Sequence, residues 1–251
     1  MSGKDVVFVG EAMTAVVHGV SVVSEILGCR PVIVGGLAVL SRLSRPYRAT
    51  VDLDVVDRRL GSIPHLEVLR GSAGAVSVEP AAVLVPTVRG PVKVDVLEIR
   101  QVELDHPSDD PGDRLHASAH AWANDTATEL TITAIRSPKD PPIAVSALVA
   151  EPGPLIAMKL QAIMNRSEAK QGTDLLDILQ LTLDDATRPI ALEQISSVEQ
   201  AVAQDIWIHI DLWLIQRRDK ALRWIHAVGG QDITIDDLEL VAEMLTDATH
   251  R

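Results

Sequence analysis

Two aspartates separated by one residue have the clearest chemical potential in this 251-residue chain. Asp52 and Asp54 lie in the apolar segment 51–56, whose Val-rich sequence predicts a strand. Residues two apart in a strand point to the same face, so the two carboxylates would lie side by side. Two ionised acids at that spacing repel each other and are costly to desolvate, which favours a divalent cation bound between them.

A glycine pair precedes these acids. Gly35 and Gly36 follow a short buried strand predicted over residues 31–34, and they open a helix predicted to run through about Leu43. Backbone N–H groups at the start of such a helix can bind phosphate, and hard oxygen ligands favour Mg²⁺ or Mn²⁺. The combination indicates a metal and nucleotide site, although a glycine pair can also serve only to turn the chain.

A third acid, Asp95, lies in the alternating segment 92–97. The alternation predicts a strand with its valines on one face and Lys93 and Asp95 on the other. If this strand lies beside the Asp52 strand, three carboxylates converge around one or two metal ions. Such a site can activate a hydroxyl against an α-phosphate. The alternative is that these acids are exposed on the solvent face of a sheet.

Two domains of different class are predicted from the remaining pattern. A helix is expected over 11–27, with Gly28 as its stop, and a short helix over 63–69. Further strands are expected over 81–88, 130–135 and 143–149, and a surface loop over 106–113. Beyond Glu151 only helical periods follow, over 154–166, from 173, over 198–218 and over 235–245. We predict an α+β domain over 1–150 followed by a helical domain over 151–251.

The composition excludes several classes of protein. The formal net charge of −12 excludes a general polyanion binder. The single cysteine, Cys29, rules out an intramolecular disulfide and fits a reducing, cytoplasmic location. Asp5 and Glu11 stand where a signal peptide would have its basic segment, so we expect no signal peptide. No uncharged apolar stretch reaches the length of a membrane span, so we expect no association with a membrane.

Other candidate sites are weaker. His116 and His120 have the i, i+4 spacing of zinc-binding histidines, but Ala117 stands where such motifs carry a glutamate, so we expect two exposed helix histidines. Cys29 has no partner in its sequence context, and no G-x-S-x-G motif occurs. Three arginines before the acidic strand could contact phosphates or an RNA end, or could form a solvated face: Arg42, Arg45 and Arg48.

Charged residues also occur in the predicted helical domain. Lys159 lies in the apolar run 155–163, where its side chain would either reach solvent or contact a phosphate. Asp174 is predicted near a helix start, where the helix dipole favours an acid, so that structural role is as plausible as a functional one. Asp177, one turn later, could hold an arginine.

These motifs resemble the nucleotidyltransferase superfamily. The matching residues are Gly35-Gly36-x-Ala38 and Arg48-x-Thr50-x-Asp52-x-Asp54. The later segments are similar to the AbiEii toxin group, which includes the mycobacterial MenT toxins. They are the Lys159 segment from Leu155 to Arg166, then Lys170 and Thr173-Asp174-Leu-Leu-Asp177. The resemblance spans roughly residues 32–181.

The resemblance implies a nucleotidyltransferase-fold mixed sheet with flanking helices, and an active site completed by the helical domain. Its implied metal ligands are Asp52 and Asp54, with Asp95 as the third acid. Its implied nucleotide contacts are Gly35, Gly36, Arg48, Thr50 and Lys159. Asp174 would complete the site. The family often has an arginine directly before this aspartate, whereas this chain has Thr173 there and Lys170 three residues earlier.

The function predicted from these residues is Mg²⁺-dependent transfer of a nucleotide monophosphate from a nucleoside triphosphate to an acceptor hydroxyl. The resemblance implies a tRNA 3′ end as the acceptor, growth arrest as the outcome, and a cognate antitoxin as partner. A small molecule with an aminoglycoside-like hydroxyl, or a protein side chain, is the alternative acceptor. A third interpretation is a catalytically silent module that binds a partner protein, against which the intact acids argue.

Overall fold

The computed structural model describes residues 6–61 and 63–251, so the sequence expectation that involved Asp5 lies outside the described residues. The chain divides into two compact units. One unit contains the described residues through Gln101 together with Ala123–Ala150, and the other contains Val102–Trp122 and Glu151–Arg251. The segment 102–122 therefore groups with the C-terminal helices, although it precedes two strands of the sheet.

The first unit is built on a mixed sheet, which confirms the α+β class. Eight strands are found in the described residues: β1 Val6–Val9, β2 Val32–Val34, β3 Asp52–Asp57, β4 Val76–Glu79, β5 Ala82–Val85, β6 Val92–Glu98, β7 Thr128–Ile135 and β8 Ile143–Val149. Their order across the sheet is β1-β7-β8-β2-β3-β6-β5-β4. Strands β1 and β7, β2 and β8, and β3 and β6 pair in parallel, and the other neighbours pair antiparallel.

The described residues before Gln101 also form three helices: α1 Glu11–Leu27, α2 Gly35–Arg42 and α3 His65–Arg70. Helix α1 ends where predicted, because Gly28 adopts the left-handed conformation (φ 67°) that stops a helix. Helix α1 packs on the sheet face that carries Val92, since a Cβ built on Gly19 would lie 3.2 Å from that side chain. The opposite face of β3 and β6 carries the charged residues.

Two further helices lie between β6 and β7: α4 Gln101–Asp105 and α5 Pro111–Thr126. The C-terminal helices are α6 Pro152–Ala162, α7 Glu168–Leu183, α8 Arg188–Ser196, α9 Gln200–Ile210, α10 Arg218–Ala227 and α11 Ile235–Thr249. A 3₁₀ turn, Ile163–Asn165, follows α6, and a π-helical segment, Asp211–Gln216, extends α9. Helix α11 begins with a capping box in which Thr234 and Asp237 satisfy each other's backbone N–H groups. In the described part of the chain, no helix is long and apolar enough to cross a membrane.

Several sequence predictions need correction. The surface loop predicted over 106–113 is wrong at its end, because α5 begins at Pro111, a residue suited to a first helical turn. The helix start predicted at Thr173 is also wrong, because α7 begins at Glu168, directly after Ser167. Five elements were not predicted: β1, β4, α4, α8 and α10.

Candidate functional site

The pairing of β3 with β6 brings the three predicted strand acids to one face of the sheet. Asp54 lies opposite Asp95, and Asp52 lies opposite Lys93. Directly opposed residues on paired strands point to the same side, and all four side chains are half-buried. We call this set, Asp52, Asp54, Lys93 and Asp95, the carboxylate face. The predicted alternation of β6 is confirmed, since its three valines are buried on the other side.

Gly35 lies directly against the Asp54 carboxylate. Val34 pairs with Asp54 across β2 and β3, so the next residue meets that side chain as the chain turns into α2. Gly35 has a φ of +63°, and a Cβ built on it would lie only 2.5 Å from Asp54 Cγ. Both the backbone conformation and the close approach therefore require glycine at this position.

The other predicted nucleotide-binding residues gather around the same helix start. A Cβ on Gly36 would lie 3.0 Å from Thr50 Oγ1 and 3.2 Å from a terminal guanidinium nitrogen of Arg48. The Thr50 backbone N–H donates to Met13 Sδ at 3.2 Å, which ties the segment before β3 to α1. The structure thus brings Gly35, Gly36, Arg48 and Thr50 together beside the carboxylate face.

Lys93 adds a positive charge that was not assigned a role from the sequence. Its ammonium lies 2.9 Å from Glu79 Oε1 and 3.4 Å from Asp95 Oδ2. Burial would lower the pKa of Lys93, but the carboxylates of Glu79, Asp95 and Asp52 outweigh burial and raise it. Burial raises the pKa of Asp95, with Asp52 and Glu79 adding to this effect and Lys93 opposing it. The strand alternation had already placed Lys93 on this face.

The donor set of this face fits Mg²⁺ bound together with phosphate. Within residues 6–61 and 63–251, no group of three or more His, Cys, Asp or Glu residues is arranged to hold a metal ion. A nucleotide-bound Mg²⁺ needs only one or two protein carboxylates, because water and phosphate oxygens complete its octahedron. Asp52 and Asp54 supply that number, whereas Asp95 is close to Lys93. A third metal contact from Asp95 stays a prediction.

The helical unit holds a second charged cluster, which is buried. The Lys159 ammonium lies 2.6 Å from Asp174 Oδ1 and 2.7 Å from Asp177 Oδ2. The Lys159 side chain is 8% exposed and the two carboxylates 1% or less, so the expectation that it could reach solvent is wrong. Burial would lower the pKa of Lys159, but Asp177 and Asp174 outweigh burial and raise it.

Arg166 completes this buried Lys159 cluster, which we define as Lys159, Arg166, Asp174 and Asp177. Its guanidinium lies 3.1 Å from Asp174 Oδ2, so Asp174 is held by two cations. Asp174 lies in the second turn of α7, so a favourable interaction with the helix dipole in the first turn does not explain its position. Asp177 was expected to hold an arginine, and the structure pairs it with Lys159. The i, i+3 spacing places both acids on one side of α7. Nucleotide contacts from Lys159 and Asp174 stay predictions.

The arginines before β3 have different environments. Arg42 donates to the Ala150 carbonyl oxygen at 2.9 Å and to Thr128 Oγ1 at 2.8 Å, which anchors the end of β8 to α2. Arg45 is exposed, and Arg48 lies beside Gly36. Arg48 is therefore the arginine of this group that lies closest to the predicted phosphate-binding turn.

The histidine pair is not the exposed pair predicted from the sequence. His120 is 4% exposed, its Nδ1–H donates to the His116 carbonyl oxygen at 2.6 Å, and the two ring centroids are 4.2 Å apart. Burial lowers the pKa of His120 to about 3, and the charges of His116 and Arg166 contribute. The i, i+4 spacing alone could not reveal that one ring of the pair is buried.

We therefore expect the buried His120 to make stability pH-dependent. Its pKa is lower in the folded chain than in the unfolded chain, so the unfolded state binds the proton first as pH falls below about 6.5. Between pH 7 and pH 5, His120 should remove about 2 kcal/mol from the free energy of unfolding. Urea titrations of wild type and His120→Asn should show this difference in slope, and exposed His106→Asn should keep the wild-type slope.

No family model, curated protein or solved structure matches this chain. The family resemblance therefore rests on the motif residues themselves. The chemical interpretation of the carboxylate face depends on its own geometry: two carboxylates on one strand, a third in register beside them, and a glycine turn in contact with one of them.

Proposed function

We propose that the chain is a Mg²⁺-dependent nucleotidyltransferase with a nucleotidyltransferase-type sheet. The supporting observation is the close approach of Gly35 to Asp54, combined with the in-register placement of Asp95. An acid with a purely solvated role would not need a left-handed glycine against its carboxylate. The arrangement places the start of α2 next to two hard oxygen ligands, which a metal-bound triphosphate would need.

Each residue near this face then has a distinct role. Asp52 and Asp54 would hold Mg²⁺, which would neutralise charge on the triphosphate and on the departing pyrophosphate. The N–H groups that begin α2 would bind phosphate oxygens, and Arg48 beside Gly36 would form a charge-assisted hydrogen bond to one of them.

Asp95 would act as the general base. It would accept the proton of the acceptor hydroxyl as that oxygen attacks the α-phosphate and pyrophosphate leaves. Burial raises the pKa of Asp95, which makes it a stronger base than an exposed aspartate. Lys93 would hold the Asp95 side chain in place before the acceptor arrives.

The acceptor that we propose is the 3′ end of tRNA, with the protein acting as a cytoplasmic toxin that a cognate antitoxin opposes. This proposal is supported by the similarity of residues 155–181 to the AbiEii group. In the helical unit, Lys159 and Arg166 hold Asp174 from two sides, which supports a positioning role for both cations.

The test is a transfer assay with the full chain, Mg²⁺, total tRNA and each α-³²P-labelled nucleoside triphosphate in turn. We expect label on tRNA with at least one nucleotide. Asp52→Asn should lower the rate about 100-fold or more, because it removes one of two metal-binding carboxylates. The matched control is Asp109→Asn, at an exposed loop acid, which should retain the wild-type rate.

Other outcomes would contradict parts of this proposal. Label on a small molecule or on protein would replace tRNA as the acceptor but keep the enzymatic class. No transfer to any acceptor, with Asp52→Asn arresting growth as well as wild type does, would contradict the enzymatic proposal and favour a partner-binding module.

A further inference from the structure

A second group of chemically active side chains lies at the other end of β2 and β3. Cys29 precedes β2, Asp57 ends β3 and His65 begins α3. Cys29 Sγ lies 3.9 Å from His65 Nε2, and His65 Nδ1 lies 4.0 Å from Asp57 Oδ1. The sequence context of Cys29 indicated no partner, and the structure places one beside it, His65, from 36 positions further along the chain. We call these three residues the Cys29 cluster.

The fold fixes the acid of this cluster. Asp57 is 3% exposed, and its Oδ1 and Oδ2 accept hydrogen bonds from the Arg59 and His65 backbone N–H groups, each at 2.8 Å. The same carboxylate therefore fixes the position of the residue that carries the imidazole. Because Asp57 is held by backbone donors, its charge stays beside the ring when the ring moves slightly.

The imidazole is oriented between the acid and the thiol. His65 Nδ1 is buried and has no hydrogen-bond partner among the described residues, and the nearest acid is Asp57. A proton on Nδ1 directed at Asp57 leaves Nε2 as an acceptor that faces Cys29. The same carboxylate would stabilise the imidazolium formed when Nε2 takes the thiol proton.

Two neighbouring arginines are already paired. Arg30 donates to Glu129 Oε2 at 2.9 Å, and Arg59 lies 2.7 Å from Glu98 Oε2. Their charges are offset by these carboxylates, and a guanidinium has no acceptor atom for a thiol proton, whereas His65 Nε2 lies beside Cys29 Sγ and can take that proton.

We propose that Cys29 is a reactive thiol and a site of covalent modification by low-molecular-weight disulfides. The side chain is exposed, so such a molecule can approach it. His65 Nε2 accepts the thiol proton, and the Cys29 thiolate attacks one sulfur of the disulfide. A new S–S bond forms, the original S–S bond breaks, and the other half leaves as a thiolate that takes the proton back from the His65 imidazolium. This site is independent of the nucleotidyltransferase proposal.

Because the sequence contains one cysteine, the thiol reactivity of the intact protein reports on Cys29 alone. The probe is 4,4′-dithiodipyridine at pH 6.5, and the reference is a peptide of residues 27–31, which retains the neighbours of Cys29. We expect the native protein to react about fivefold faster than the peptide. His65→Asn should fall to within about twofold of the peptide, and His106→Asn, at an exposed histidine, should match wild type.

Circular dichroism would establish that His65→Asn is folded. If that variant does not fold, the comparison of wild type with the peptide still decides, because a protein that reacts no faster than the peptide overturns the proposal. A folded His65→Asn that reacts at the wild-type rate also overturns it. With oxidised glutathione, mass spectrometry should show one added glutathionyl group on wild type and none on Cys29→Ser, and no addition to wild type would contradict the proposal.

Discussion

Gly35→Ala is expected to lower the rate of nucleotidyl transfer roughly 100-fold while leaving a folded protein. The new Cβ would overlap the Asp54 carboxylate, so either Asp54 or the start of α2 must move. A displacement of about 1 Å in a metal-binding carboxylate lowers the rate roughly 100-fold. The left-handed φ of residue 35 and the overlap together should also lower the free energy of unfolding by about 2–4 kcal/mol. Transfer assays and urea titrations measure the two effects.

Gly28→Ala is the matched control for this change. Gly28 has a φ of +67°, close to that of Gly35, but a Cβ built there meets no atom within 4 Å. It should lose about 1–2 kcal/mol from backbone conformation alone and keep full transfer activity. Equal activity in the two alanine variants would contradict the importance of the Gly35–Asp54 contact.

Lys159→Met is expected to lower the free energy of unfolding by about 3–5 kcal/mol. The substitution keeps most of the side-chain volume but leaves Asp174 and Asp177 buried next to each other without the ammonium that offsets their charges. Arg166 still reaches Asp174, but its side chain is 38% exposed, so it replaces the buried ammonium of Lys159 only in part. Urea titration at pH 7 measures the loss.

Lys170→Met is the matched control, because Lys170 is an exposed lysine on α7, the helix that carries both acids. Its stability should change by less than about 0.5 kcal/mol. Adding Asp174→Asn and Asp177→Asn to Lys159→Met should recover part of the loss, since the buried charges are then removed together. A stable Lys159→Met that loses only transfer activity would contradict the positioning role and favour direct contact with the nucleotide.

The carboxylate face could be predicted from the sequence to the extent that strand periodicity determines it. Alternation placed Asp52 with Asp54, and Lys93 with Asp95, because neighbouring side chains in a strand must alternate. The alternation could not establish that β6 is the strand beside β3, since that pairing depends on contacts between residues about forty positions apart. The alternation therefore placed Lys93 on the same face as Asp95, but it could not identify Glu79 and Asp95 as the carboxylates that contact its ammonium.

The contacts of the buried Lys159 cluster, in contrast, could not be predicted from the sequence. A lysine in an apolar helix was interpreted as reaching solvent or a phosphate, because the sequence does not show which helix packs against it. The partners, Asp174 and Asp177, were both noticed, yet their shared bond to Lys159 is a tertiary contact. The contact of Cys29 with His65 is nonlocal in the same sense.

The two edge strands, β1 and β4, are only four residues each, and β4 is exposed throughout, so neither has a strong apolar period.

The register of β6 has a consequence for errors in folding. Its valines are buried on one side, and Lys93 and Asp95 lie on the other. A slip of one residue against β3 would bury both charged side chains and expose the valines, at a cost that the rest of the strand could not offset. The misaligned pairing is therefore much higher in free energy than the native one, so it is rarely populated. The burial of the valines on one side of β6 thus fixes which carboxylates lie next to each other on the other side.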